Sequence, residues 1–391
     1  MDSHLSKLSS IARVLIGGLS IVLPHLVVDS TLFGNYAISL STALILGYFL
    51  ELGVGLTSMA TKSTAKEKQH HLIRLALIRD VLLILLIAGA VFFTDFDHTI
   101  LLASALTASI VSWQGLLRAN RDSFAEFISN LGILAGICIA YLYAIQTEPN
   151  NSKTLILLFV ILPRAAGLVL SSISVFRLIF TTRGTATSRS SLAYTVQMSF
   201  PFWTQSMFAS ATSNIDILIA ASIYGPIIAG SLKIVTTAIN LCISPFEILY
   251  HYLMNEKANQ RTKNLGILEK PSTKFVYACI IFIGTLVYLI FRPNSEALGF
   301  ESYLYISIIV GGTVFLRALS LSIATYLSIN GKQTTRVRVL VFTTCTYWML
   351  IYLASHIAYK NAIFICILIS AIIQFILYRK VLDRKPNELH L

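Results

Sequence analysis

The sequence predicts an all-α polytopic membrane protein of about twelve membrane-spanning helices, arranged as two six-helix lobes around a central cavity. Three observations carry this. Of its 391 residues 55% are hydrophobic and only 12% are charged. A soluble domain has about 25% charged residues, so this chain lacks the polar surface to cover a water-facing fold. The apolar residues come in runs of about 20, the length that crosses a hydrocarbon core of about 30 Å as a helix. Finally, the Lys and Arg residues are concentrated in alternate connections between those runs.

In chain order the runs occupy 8–28, 33–58, 72–94, 99–117, 124–145, 155–180, 196–222, 226–249, 274–291, 303–327, 337–357 and 361–379. The first is not followed by a small-residue cleavage site and a soluble domain, so it reads as helix one and not as a signal peptide. The Ser-, Thr- and Arg-rich stretch 181–195 divides the runs evenly. The expected organisation is therefore an N-terminal lobe over 1–180, a cytoplasmic linker over 181–195 and a C-terminal lobe over 196–391. All five cysteines lie inside apolar runs without a CxxC pair, so neither a disulfide framework nor a metal site is expected.

Orientation follows from the basic residues. Of 30 Lys and Arg, three (Lys153, Arg292 and Lys360) fall in connections opposite the N-terminus, and five lie within spans. The remaining 22 fall on the N-terminal side. Both termini are thus expected in the cytoplasm. The net charge of +12 is mostly a topology signal, with attraction to anionic lipid as a consequence; nucleic acid is not an expected partner.

The five basic residues inside spans are Arg13, Arg79, Arg164, Lys233 and Arg317, and the acidic ones are Glu51, Asp80 and Asp216. Charges at membrane depth usually face a protein interior or a hydrated cavity. Helical spacing puts each beside small or polar residues: Arg13 with Gly17, Ser20 and Pro24; Arg164 with Gly167, Ser171 and Ser174; Lys233 with Thr237, Asn240 and Ser244; Arg317 with Thr313 and Ser320; Asp216 with Thr212 and Gln205. Small residues also serve tight helix packing, so a single stripe decides nothing; five together point to a hydrated cavity with a positive wall. Asp216 and Lys233 lie at matching depth, about 9 Å in from a shared turn, which suits an ion pair. Glu51 and Asp80 match similarly, with Arg79 beside them. Arg13 is near enough to its helix end either to snorkel or to line the cavity, and Glu126 and Glu247 are expected at the interface. Pro24, Pro163, Pro201 and Pro245 are expected to kink their helices. No HExxH, GxSxG or Walker A pattern is present; no catalytic residue, metal or cofactor is expected, and the chain does not read as an enzyme.

The segment Leu32-Phe-Gly-Asn-Tyr-Ala37 and the following Glu51-Leu-Gly-Val-Gly55 resemble motifs of the O-antigen flippase (Wzx) family, within the polysaccharide-transporter branch of the MATE-like MOP superfamily. Phe200-Pro-Phe202 with Asn214-Ile-Asp216 resembles that family's seventh helix, and Gly230-Ser-Leu-Lys233 departs from its next motif at the aromatic position. The resemblance implies a flippase of the bacterial inner membrane that carries an undecaprenyl-pyrophosphate-linked oligosaccharide to the periplasmic leaflet by alternating access. Arg13, Arg164, Lys233 and Arg317 would bind the pyrophosphate, Glu51, Asp80 and Asp216 would couple or pair, and Thr237, Asn240 and Ser320 would line the cavity. Membrane lipids, the polysaccharide polymerase and a chain-length regulator are the implied partners. The alternatives are a membrane-embedded polymerase or glycosyltransferase, which would carry a sizeable outer loop, and another exporter of the same superfamily.

Overall fold

The computed structural model describes residues 2–60, 66–93, 97–120, 122–182, 192–257, 300–329, 332–355 and 362–383. All its elements are helical. They are α1 (Asp2–Val27), α2 (Ser30–Leu50), α3 (Val54–Ala60), α4 (Lys66–Phe93), α5 (His98–Ala119), α6 (Ser123–Thr147), α7 (Ser152–Ile156), α8 (Leu162–Thr182), α9 (Leu192–Tyr224), α10 (Pro226–Lys257), α11 (Phe300–Ile329), α12 (Gln333–Ser355) and α13 (Ala362–Asp383). Nine stretches among the described residues are long and apolar enough to cross a membrane. Eleven of the expected runs coincide with these helices; the run 274–291 lies outside the described residues, as do most of the linker and Cys279.

Packing divides the chain into two units, one of Met1–Ala221 with Gly225–Gly230 and one of Ser222–Tyr224 with Ser231–Leu391. In the first, α5 is the central post, packed by α2, α3, α4, α6 and α8. Its buried residues include a small and polar set, Ala103, Ser104, Thr107, Ala108, Ser112 and Gly115, beside Leu101, Ile110, Trp113, Leu116 and Leu117. Large apolar side chains point the other way on the outer helices. Val81, Leu82, Ile84 and Leu85 of α4 and Val169, Ile173, Phe176 and Phe180 of α8 are all exposed. Lipid is as apolar as a leucine core, so helices associate through close contact of small residues, and bulky side chains are left for the lipid. The α6–α8 contact illustrates this: Gly132 and Gly136 form a GxxxG ridge, and a Cβ on Gly136 would come within 2.8 Å of Pro163 Cα.

Two features depart from a simple bundle. The expected helix over 33–58 is broken into α2 and α3 at Glu51–Gly53, where Leu52 (φ 57°) and Gly53 (φ 71°) adopt left-handed backbone. L-residues avoid this region, so the break needs local compensation, described below. The run 155–180 contains a π-helical turn, Leu157–Ile161, joining α7 to α8 directly before Pro163. Proline lacks the N–H for a regular i→i−4 bond, and a π turn is a common way to relax the ladder, often near functional residues.

In the second unit α11, α12 and α13 pack together. Ile323, Ala324, Leu327, Val339 and Tyr378 form an apolar cluster there, and the Tyr224 hydroxyl donates to the Ala354 carbonyl at 3.4 Å.

Candidate functional site

Three groups of charged residues stand out in the first unit, each in a different chemical setting. The first surrounds the α2–α3 break. A helix break leaves carbonyls at one end and N–H groups at the other without partners, which is costly at membrane depth. Glu51 is only 1% exposed, and its carboxylate caps α3 by accepting from Gly53 N at 2.9 Å and Gly55 N at 2.5 Å. Arg79 of α4 reaches the other side, donating from Nη1 to the Glu51 carbonyl at 3.2 Å and also to the Ser112 hydroxyl. Asp80 accepts from Arg79 Nη2 at 2.6 Å, Ser109 Oγ at 2.8 Å and Trp113 Nε1 at 2.8 Å. The structure thus brings together the expected set of Glu51, Arg79 and Asp80 and adds Ser109, Ser112 and Trp113 of α5. Three glycines let the break sit deep in the packing. A Cβ on Gly53 would meet Trp203 N at 2.5 Å, one on Gly55 would meet Val111 O at 2.9 Å, and one on Gly115 would run into the Gly55 backbone.

The second group joins the N-terminal ends of α1 and α6 to the C-terminal end of α5. Arg13 and Arg118 both donate to one oxygen of Glu126, Oε1, Arg118 through Nε at 3.1 Å and Nη2 at 2.6 Å. The Glu126 side chain is 2% exposed, against 41% for Arg13 and 30% for Arg118. Glu126 is thus enclosed by protein near the start of α6. Small residues let α1 approach α6, and below the carboxylate a chain of amides fills the contact: Gln114 Nε2 donates to Asn130 Oδ1 at 2.9 Å, and Asn130 Nδ2 donates to Ser9 Oγ at 2.9 Å. Arg13 therefore does not simply snorkel; it shares a buried counterion with a residue 105 positions on, Arg118.

The third group is Arg164, two residues into the regular helix beyond the π turn. It is half-buried, and its only hydrogen bond among the described residues runs from Nη1 to the Val160 carbonyl at 3.4 Å. Tyr36 and Tyr48 are within electrostatic reach, and Tyr48 is also within reach of Arg13. No carboxylate pairs with Arg164 among the described residues.

The remaining site residues are divided between the two units. Asp216 of α9 belongs to the first unit and Lys233 of α10 to the second; both are buried, and Asp216 Oδ1 accepts from Ile217 N at 2.9 Å. On α10, Thr237 is half-buried and Asn240 exposed. On α11, Arg317 is half-buried, while Thr313 Oγ1 and Ser320 Oγ are buried without a hydrogen-bond partner among the described residues. Of Glu247, only its place in α10 is described. On the side opposite the basic cluster, Asp97 caps α5 through Thr99 N at 3.0 Å and lies 3.7 Å from Lys153 Nζ. Partial burial would raise its pKa, but the Thr99 hydrogen bonds and Lys153 outweigh that and hold it below the ordinary aspartate value. No group of His, Cys, Asp and Glu suited to a metal ion occurs among the described residues.

No family model and no curated protein matches this chain. Solved structures do. It is similar to the MATE multidrug transporter DinF-BH, at 13% identity and a TM-score of 0.63, covering 100% of this chain and 96% of that one. It is similar to a multidrug resistance MATE family transporter of the MOP superfamily in its inward-facing conformation, at 14% identity and a TM-score of 0.59, covering 98% and 95%. An outward-facing conformation of such a transporter matches at 14% identity and a TM-score of 0.52, covering 97% and 96%. The chain therefore has the fold of the MATE transporters of the MOP superfamily and is a multi-pass membrane protein.

Proposed function

We propose that this protein is a flippase that moves an undecaprenyl-pyrophosphate-linked O-antigen or polysaccharide repeat unit from the cytoplasmic to the periplasmic leaflet of a bacterial inner membrane. The observation that carries the reading is Arg164, a cation within the span Ser152–Phe180 whose one hydrogen bond among the described residues is to a carbonyl at 3.4 Å and which has no carboxylate partner there. A guanidinium without a carboxylate at that depth is costly, an anionic cargo would relieve that cost, and Arg suits phosphate oxygens because its planar fork donates in pairs. Arg13, Arg118 and Glu126 add a second positive centre, with two cations to one acid. In the flippase reading, Lys233 with Thr237 and Asn240 on α10, and Arg317 with Ser320 on α11, are further candidate contacts for the anion. The polyprenyl tail stays in lipid while the head crosses. The fold supports alternating access, because transporters of this fold have been solved both inward-facing and outward-facing.

The enzyme alternative finds little support. The described connections opposite the basic cluster, 28–29 and 148–151, are too short to house chemistry. Export of another solute is the second reading, favoured by the multidrug transporters among the neighbours. A cationic drug would meet Arg164 as a repulsive charge, which argues for an anionic cargo.

The test is complementation of a strain lacking its own flippase, scored by surface polysaccharide. Wild type is expected to restore it, and membrane-inserted Arg164→Ala and Arg317→Ala are expected to fail. Failure of wild type across several cognate sugar units refutes the reading. Collapsing the proton gradient tests a coupling role for Glu51, Asp80 or Asp216, and an unchanged flipping rate refutes proton coupling.

A further inference from the structure

The arrangement of Arg13, Arg118 and Glu126 has the form of an anion site with its own counterion in place. We propose that these two arginines form a phosphate-binding site at the end of the first unit where the basic residues concentrate, and that Glu126 is the fixed internal anion with which a phosphate group competes for their charge.

Four observations support it. First, both guanidinium groups converge on a single carboxylate oxygen, Glu126 Oε1. That is the geometry two arginines adopt around a phosphate oxygen, with one charge left over. Second, the donors are under-used. Arg has five N–H groups, yet Arg13 uses only Nη2, and its Nε is buried without a partner among the described residues. The Nη1 of Arg118 has only the Met59 sulfur at 3.1 Å, a weak acceptor. A phosphate with several acceptor oxygens can take up the Nη1 donors of Arg13 and Arg118, whereas the Oε1 of one carboxylate cannot. Third, the arginines are accessible, at 41% and 30% side-chain exposure, while the carboxylate is enclosed at 2%. A ligand can therefore approach the arginines from outside without Glu126 leaving its place in the α1–α5–α6 contact. Fourth, depth is right for a headgroup. Arg13 is five residues into the span Leu8–Val27, about 8 Å, and Arg118 is next to the last residue of the span His98–Ala119.

The ligand chemistry is a phosphate or pyrophosphate ester at membrane-surface depth. Two sources share it: the pyrophosphate of a lipid-linked cargo and the headgroup of an anionic phospholipid. The first rests on the flippase reading and deepens it by giving the cargo a first contact. The site itself stands on geometry that does not require that reading.

The experiment uses the full-length protein in nanodiscs of zwitterionic lipid, titrated with inorganic pyrophosphate in a calorimeter. Saturable binding is expected. Arg13→Ala and Arg118→Ala should each weaken it by on the order of tenfold, the loss of one charge-assisted contact. Glu126→Gln, which keeps the shape and removes the competing charge, should tighten it by a similar factor. Lys153→Ala, on the opposite side, should leave it unchanged. If an alanine variant does not fold, Arg13→Lys and Arg118→Lys retain the charge and lose the fork, and binding should still weaken. Binding indifferent to both arginines, or weakened by Glu126→Gln as much as by arginine loss, overturns the proposal; in the latter case Glu126 is a structural brace. The two sources separate in a second arm, in which nanodiscs carry either a polyprenyl pyrophosphate or increasing phosphatidylglycerol. Competition by the first alone assigns the site to cargo, competition by the second assigns it to bulk lipid, and competition by neither overturns the proposal. Failed complementation with intact pyrophosphate binding refutes the flippase and leaves the site. Intact complementation with binding insensitive to the arginines does the reverse.

Discussion

Replacing Gly53 by Ala puts the break between α2 and α3 under direct test. Gly53 sits at φ 71°, and a Cβ there would lie 2.5 Å from Trp203 N and 2.7 Å from Ser199 O, both backbone atoms. Two costs add. The left-handed conformation is unfavourable for an L-residue by roughly 1–2 kcal/mol, and overpacking against backbone costs about 1–3 kcal/mol. The expected destabilisation is roughly 2–5 kcal/mol, large beside the effect of a typical surface change. The internal control is Gly17→Ala, because nothing lies within 4 Å of a Cβ at Gly17. In a helix interior that change should stabilise by about 0.5–1 kcal/mol. Thermal unfolding of the purified protein, followed by tryptophan fluorescence, reads both. Trp203 is itself a local reporter, since its Nε1 donates to the Phe49 carbonyl at 2.8 Å next to the break. A Gly53→Ala midpoint equal to or above that of Gly17→Ala would refute both the strained break and the close approach of α9.

Three further outcomes follow from the same structure. Trp113→Phe removes the 2.8 Å bond to Asp80 and should destabilise by about 1.5–3 kcal/mol, as for hydrogen bonds to charged groups; an unchanged denaturation midpoint would count against the network. Gly136→Leu should separate α6 from α8, because the first added carbon already meets Pro163 Cα at 2.8 Å, and a fall in folded yield with no gain in lipid-dependent rescue checks it. Asp97 has a depressed pKa, so its ionised form contributes stability that is complete above the unfolded-state pKa and lost as pH falls through the lower folded-state value. Asp97→Asn should therefore lower stability at neutral pH, converge with wild type in acid and so flatten the acid limb of the stability profile below about pH 4; an acid limb as steep as wild type would refute the assignment.

Several features were legible in the sequence because they are local. Arg79 and Asp80 are adjacent, so their pairing needed no fold. The clustering of Glu51 with them followed from equal depth on neighbouring helices, because rise per residue is constant. Hydropathy alone carried the expected helix through Glu51-Leu-Gly-Val-Gly55 to 58. An apolar run does not reveal that residues 52 and 53 turn left-handed, because the residues that stabilise the turn, Arg79 and Ser112, come from α4 and α5. The enclosure of Glu126 was illegible for a related reason: a place near a helix start sets its depth, and only the approach of α1 to α6 buries it. The one available signal was Arg118 eight positions earlier across a short turn.

The sequence by itself determined that this protein lives in a membrane and where its helices run, and it concentrated the positive charges on one side. Those properties depend on the length of apolar runs and the composition of the connections, quantities summed along one dimension. Only the tertiary structure decided which charges cancel. Arg13 finds Glu126 113 positions away, while Arg164, on an equally polar stripe, is left with a carbonyl. That outcome depends on how each helix is rotated about its axis and how closely small residues let it approach its neighbours, and neither is encoded in spacing along a single helix.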